Sequence, residues 1–176
     1  MNHPPVHPPP PAAATPRRWL IMGVSGSGKS TLGSAWAARL GQPFFDADDY
    51  HPPANLRKMR DGQPLTDDDR WPWLDRLNQL LLAEPAAVLA CSALKTDYRQ
   101  ALRRGLDDLA VVYLHVDPTL LRRRMQDRQH FMPPALLDSQ LRTLEPPPAD
   151  QAIRLDGSQP LPDLLNQLYQ QTHGPA

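Results

Sequence analysis

Cysteine, net charge and long apolar runs are all in short supply in this chain, and each shortage closes off a class of protein. A single cysteine, Cys91, leaves no partner for an internal disulfide and fits a reducing compartment. Nineteen acidic side chains balance 19 basic ones, so no global field draws the chain to nucleic acid or to an anionic membrane. No apolar stretch approaches the ~20 residues needed to cross a bilayer, and no signal-peptide core follows the start. Cytoplasm is therefore the expected location, with neither nucleic acid nor membrane as partner. At 176 residues and 40% hydrophobic, the chain can bury one sizeable core and not two.

Proline is abundant instead. The 22 prolines are unevenly spread, and the first 16 residues (MNHPPVHPPPPAAATP) form a proline-rich run with few large apolar side chains. Such a segment has little to bury and is expected to stay outside the fold as an unfolded or polyproline-like tail. A single folded domain is expected over 17–176, with no internal repeat and no second linker.

Glycine is sparse too, nine in all, yet three fall in one short run, Gly23-Val24-Ser25-Gly26-Ser27-Gly28-Lys29-Ser30-Thr31. An apolar segment, Trp19–Met22, precedes it and a helical pattern, Leu32–Leu40, follows it. Strand, glycine-rich turn and helix make G-x-x-x-x-G-K-[ST] a phosphate-binding loop. Gly23, Gly26 and Gly28 permit backbone angles that aim successive N–H groups at an anion. Ser25, Ser27 and Thr31 complete the loop, and the helix presents its positive end to the same phosphates. Lys29 reaches the β- and γ-phosphates, and the Ser30 hydroxyl completes a Mg²⁺ shell. The chain is expected to bind a nucleoside triphosphate with Mg²⁺.

Further along, Phe44–Asp48 reads as a second strand ending in acids, and Pro52–Asp61 as a short helix. Asp67-Asp68-Asp69 supplies capping acids for a helix through Trp73, Leu74, Leu77, Leu80 and Leu81. Ala86–Ala90 is a third, uninterrupted apolar strand; a helix over Lys95–Arg104 leads to a fourth, Ala110–Val116. Pro118 opens a helix that Phe131-Met132-Pro133-Pro134 interrupts. Ile153–Leu155 is a weak fifth strand and Leu161–Tyr169 a closing amphipathic helix. Alternating strands and helices predict an α/β fold: a parallel five-stranded sheet between two helical layers, with ligands at the carboxyl ends of the strands.

The residues expected around that crevice carry the remaining chemistry. Asp46 and Asp48, two apart, point to the same side of an extended chain. One can hold a water on the metal and the other can accept the proton of an attacking hydroxyl; the pattern leaves open which does which. His51, Asn55, Lys58 and Arg70 gather cations and hydrogen-bonding groups suited to a small, polar, anionic acceptor, and an arginine grips a carboxylate through two parallel bonds. Ser92 and Lys95, after the third strand, reach toward the same crevice, with Tyr98 and Arg99 one turn on. Arg124 and Arg128 share one helix face, and the proline-broken loop after them suggests a mobile lid that brings arginines onto the transferring phosphoryl group.

GVSGSGKST, DADDYHPPANLRKMRDGQPLTDDDRWPWL, CSALKTDYRQALR and HFMPPALLDSQLRTLEPP, in this order and spacing, resemble the gluconokinases of the phosphate-loop type. The resemblance runs from Trp19 to the end and leaves only the proline-rich tail outside. It implies ATP-dependent phosphorylation of D-gluconate to 6-phospho-D-gluconate, on a fold similar to shikimate and nucleoside monophosphate kinases, and a homodimer. The substrate contacts expected from the residues around the crevice are Asp48, His51, Lys58, Arg70, Ser92, Lys95 and Arg99. By analogy with the shikimate kinases, Asp46 falls near the metal and Asp48 near the acceptor hydroxyl. On the same analogy Arg124 lies against adenine and Arg128 on the phosphates, making Lys29, Asp48 and Arg128 the catalytic set. Two other readings stay open: a kinase for another small hydroxy acid such as shikimate, and a nucleotide-dependent switch that makes no phosphorylated product.

Overall fold

Strand β1 (Arg18–Met22) carries Trp19 and Ile21 on one face and Leu20 and Met22 on the other, all four buried. A strand buried on both faces belongs in the middle of a sheet. The computed structural model, which describes residues 16–127 and 133–174, places it there. The other strands are β2 (Phe44–Asp46), β3 (Ala87–Ala90), β4 (Leu109–His115) and β5 (Ile153–Asp156). Their order is β2-β3-β1-β4-β5, and every neighbouring pair is parallel.

The alternation of side chains along the strands divides the core into two layers. Trp19, Ile21, Val88, Val112 and Leu155 pack on helices α1 (Lys29–Leu40) and α7 (Leu161–His173) through Leu32, Trp36, Leu164 and Leu168. Trp19 meets Trp36 edge to face, with centroids 5.3 Å apart. Leu20, Met22, Leu89 and Tyr113 face the opposite layer, α3 (Asp67–Ala83) and α4 (Thr96–Arg103), through Leu74, Leu77, Leu81 and Leu102. Leu121 of α5 (Pro118–Asp127) and Leu137 of α6 (Pro134–Thr143) join that second layer. The short helix α2 (Pro53–Arg60) runs between β2 and α3. Among the described residues no helix is long and apolar enough to cross a membrane.

The expected α/β architecture is the observed one, and the connections put the loops after β1, β2, β3 and β5 at one edge of the sheet. The chain leaves β1 between two neighbours, β3 and β4, that lie on opposite sides of it. That reversal opens a crevice at the carboxyl ends of the strands.

One boundary differs in a way that matters. The second strand was expected to run to Asp48, but β2 stops at Asp46 and Ala47–Tyr50 form a 3₁₀ turn. The Asp46 carboxylate accepts from the Asp48 N–H at 3.0 Å, which caps the turn and ends the strand. Asp46 and Asp48 are therefore brought together by a capped turn and not by strand alternation. The expected tail, save Pro16, and residues 128–132, which include Arg128 and the start of the expected break, lie outside the described residues.

Candidate active site

Close packing at the first glycine shapes the phosphate loop. A Cβ on Gly23 would sit 2.7 Å from the Leu114 carbonyl oxygen, and its φ of +153° is one that side chains rarely adopt. Gly28, at φ +99°, turns the chain into α1 in a left-handed conformation. Inside the turn, Ser27 is buried and its Oγ has no hydrogen-bond partner among the described residues. A buried, unpartnered hydroxyl within a glycine-rich loop fits a phosphate oxygen.

Lys29 lies across the loop, donating from Nζ to the Val24 carbonyl at 3.0 Å. Burial pulls its pKa below the usual lysine value, against the opposing influence of Asp48, Cys91 and Asp46. Ser30, in the first turn of α1, donates from Oγ to Asp46 Oδ2 at 2.5 Å. Among the described residues no three His, Cys, Asp or Glu side chains gather into a metal cluster. A hydroxyl beside one carboxylate is the donor set that suits Mg²⁺ when nucleotide phosphates and water supply its other ligands. The residues present thus fit a magnesium nucleotide.

Beyond the loop the cleft is walled by Asp46, Asp48, His51, Arg70, Trp73 and Ser92, with Cys91 on its floor. Enclosure by these walls pushes the Asp48 carboxyl above the usual carboxylate range; Lys29 opposes the shift, and the like charges of Asp46 and Asp49 add to it. Its oxygens still reach the open cleft, for the side chain is 77% exposed. His51 is buried against Trp73, ring on ring with centroids 4.1 Å apart, and burial together with Arg70 brings its pKa down to about 4. Arg70 donates to the Tyr98 hydroxyl at 3.2 Å and keeps its guanidinium at the cleft wall. Burial also drives the Cys91 thiol up to about 12, so it is a small buried filler and not a nucleophile.

Three of the expected substrate contacts are engaged elsewhere. Lys58 places Nζ 2.7 Å from both oxygens of Asp69, joining α2 to α3. Lys95 bonds both oxygens of Asp67, at 3.0 and 2.9 Å, joining α4 to α3. Arg99 turns back on the chain, donating to the carbonyls of Ala93 and Leu94 at 3.0 and 3.2 Å. Ala93 has a φ of +43°, unusual for a residue with a side chain, and Arg99 secures that strained turn. None of the three lines the cleft. The physical reason is common to all: each cation has an acid or a pair of carbonyls within reach that engages it.

Arg124, on α5, donates to the Gly157 carbonyl at 2.8 Å and to Gly26 at 3.4 Å, so it spans from the phosphate loop to the turn after β5. Gln140, on α6, escaped notice in the sequence. Its Oε1 accepts from the Ser25 N–H at 2.8 Å and its Nε2 donates to Ser25 Oγ at 3.1 Å. Its one sequence signal is its place in the segment HFMPPALLDSQLRTLEPP, and a glutamine on a helix carries no chemistry of its own to mark it.

The AAA domain family profile matches residues 19–147, the span from β1 to just beyond α6. A gluconokinase of Gluconobacter oxydans is 47% identical over 157 residues, 85% of this chain and 87% of that protein. This chain belongs to the gluconokinase family. A solved gluconokinase from Sinorhizobium meliloti is 44% identical, superposes with a TM-score of 0.80, and is covered over 99% of its length by 90% of this chain. A shikimate kinase from Bacteroides thetaiotaomicron, 21% identical, shares the fold at a TM-score of 0.66 over 88% of this chain and 97% of its own. As a gluconokinase relative the chain is a kinase, and its phosphate loop, paired acids and polar cleft wall are the parts such an enzyme needs.

Proposed function

We infer that this chain transfers the γ-phosphoryl group of ATP to a hydroxyl of D-gluconate, yielding ADP and 6-phospho-D-gluconate. The observation that carries the reading is the meeting, in one cleft, of a phosphate loop with Asp48 and the Arg70 guanidinium. Phosphoryl transfer asks a protein mainly to position two reactants and to offset charge, with no covalent enzyme intermediate.

The residues divide that work. The loop amides of 23–31, with Ser25 and Ser27, hold the phosphates, and Lys29 meets the negative charge that shifts toward the leaving oxygen. Ser30 and Asp46 hold Mg²⁺, which when bound offsets phosphate charge. Asp48, open to the cleft, accepts the proton of the attacking hydroxyl. Arg70 pairs with the gluconate carboxylate, and Ser92 meets its hydroxyls. Arg124 flanks the adenine, and Arg128 is assigned to the phosphates on the family analogy alone. The enzyme works as a homodimer in the cytoplasm, and residues 17–176 form its kinase domain.

A coupled ADP-release assay over a panel of sugar acids and shikimate tests the reading. Gluconate-dependent release well above every other acceptor is expected. A preference for shikimate would redirect the substrate, and acceptor-independent hydrolysis would make the chain a nucleotide switch.

A further inference from the structure

Behind the cleft wall runs a line of polar groups, Asn55 and His51 buried among them, that phosphoryl transfer leaves unused. It begins at Asp69, in the first turn of α3. The Asp69 side chain is pinned by Lys58 and by a reciprocal capping box with Thr66. Its backbone carbonyl accepts from Asn55 Nδ2 at 2.9 Å, and Asn55 is 2% exposed. A carbonyl can only accept, so this bond settles which end of the Asn55 amide carries the hydrogens.

The same Nδ2 lies 3.4 Å from Nδ1 of His51. Nδ2 has two hydrogens and no accepting pair, so Nδ1 must be the bare nitrogen and the ring proton must sit on Nε2. Burial and Arg70 bring the His51 pKa down to about 4, so the ring is neutral at physiological pH and the bond from Asn55 chooses between its two tautomers. The plane of the ring is set by its stack on Trp73, whose Nε1 donates to the Ala47 carbonyl at 2.8 Å. That carbonyl belongs to the same 3₁₀ turn that carries Asp48. His51 Nε2 faces Asp48 Oδ1 at 3.8 Å.

We propose that Asn55 and His51 are positioning residues for phosphoryl transfer: Asn55 selects the tautomer in which His51 presents Nε2–H to one oxygen of Asp48, leaving the other oxygen for the acceptor hydroxyl. The inference rests on Asp48 being the proton acceptor. At 3.8 Å the pair is a small side-chain rotation short of a hydrogen bond, and catalytic bonds of this kind commonly close only with substrate in place. A neutral donor suits the task, since it orients a carboxylate without cancelling its charge.

Long-range ¹H–¹⁵N correlation spectra of the full chain read the tautomer directly, with the His51 signals assigned by their loss in His51→Gln. The expected pattern is a bare Nδ1 and a protonated Nε2 in the wild type, and a mixture of tautomers in Asn55→Ala. Kinetics supply the second readout. His51→Leu and Asn55→Ala should lower kcat by about ten- to a hundredfold while KM for ATP stays within about twofold. His51→Gln, which keeps an N–H near the Nε2 position, should restore much of the loss. An Nδ1-protonated tautomer in the wild type overturns the proposal, whatever the variants do. Full turnover in Asp48→Asn overturns the proton-acceptor reading and the proposal with it. Loss in Asp48→Asn with normal kcat in His51→Leu overturns the proposal alone.

Discussion

At the scale of single residues, Lys29 and the two acids divide between binding and chemistry. Lys29 is partly desolvated and its neighbours are a loop carbonyl and the cleft acids, so it supports ligand and not core. Lys29→Ala should lower kcat by roughly 10²–10³, the cost of one preorganised electrostatic partner, with the melting temperature nearly unchanged. Steady-state kinetics beside a thermal melt check both halves. Asp46 and Asp48 differ in what already touches them: Asp46 bonds Ser30 and caps the turn, while Asp48 opens to the cleft. Asp48→Asn should therefore cost about 10²–10⁴ in kcat and respond little to added metal. Asp46→Asn should raise the Mg²⁺ needed for half-maximal rate and recover part of its activity at high Mg²⁺. Magnesium rescue of the first variant and not the second would exchange their roles.

At the scale of elements, Gln140 fastens α6 to the phosphate loop. Gln140 holds the Ser25 N–H, a group of the kind that phosphate oxygens use, so nucleotide and glutamine compete for it. Gln140→Ala removes the competitor. A hydrogen bond is worth about 0.5–1.5 kcal/mol net, so ADP should bind a few-fold more tightly to the variant. Calorimetric titration with ADP decides it, and weaker binding would mean that Gln140 itself holds the nucleotide. The helices α2, α3 and α4 are joined by cations spent on acids: Lys58 on Asp69 and Lys95 on Asp67. These struts hold the wall that carries His51 and Arg70, which ties them to the site through geometry and not through contact.

At the scale of the molecule, the described core begins at β1. Among the described residues, both core layers and the cleft are formed from β1, which starts at Arg18, and the elements after it. Removing residues 1–16 should leave melting temperature and turnover close to those of the full chain. A large fall in either would show that the tail docks on the domain. The sheet contributes placement: with β1 between β3 and β4, the loops after β1, β2 and β3 converge on one crevice.

Much of this was legible in the amino-acid order because it depends on neighbours along the chain. The glycines of 23–28 dictate a turn, the apolar runs dictate strands buried on both faces, and the acids 67–69 mark a helix start, although the cap itself is Thr66. Those are backbone preferences acting over a few residues, and the element order follows from them. Other features were decided only in three dimensions. Whether Lys58, Lys95 and Arg99 face the cleft depends on which acceptor lies nearest a long, flexible cation, and folding put Asp69, Asp67 and the Ala93 carbonyl there first. Gln140 meets Ser25 across 115 positions of sequence, a distance over which no local pattern acts. The protonation of His51 is set by an amide on α2 that is itself oriented by a carbonyl on α3. Local sequence fixes what the backbone does; the partners of polar side chains belong to the packed structure, where each group must find the donor or acceptor that burial leaves within its reach.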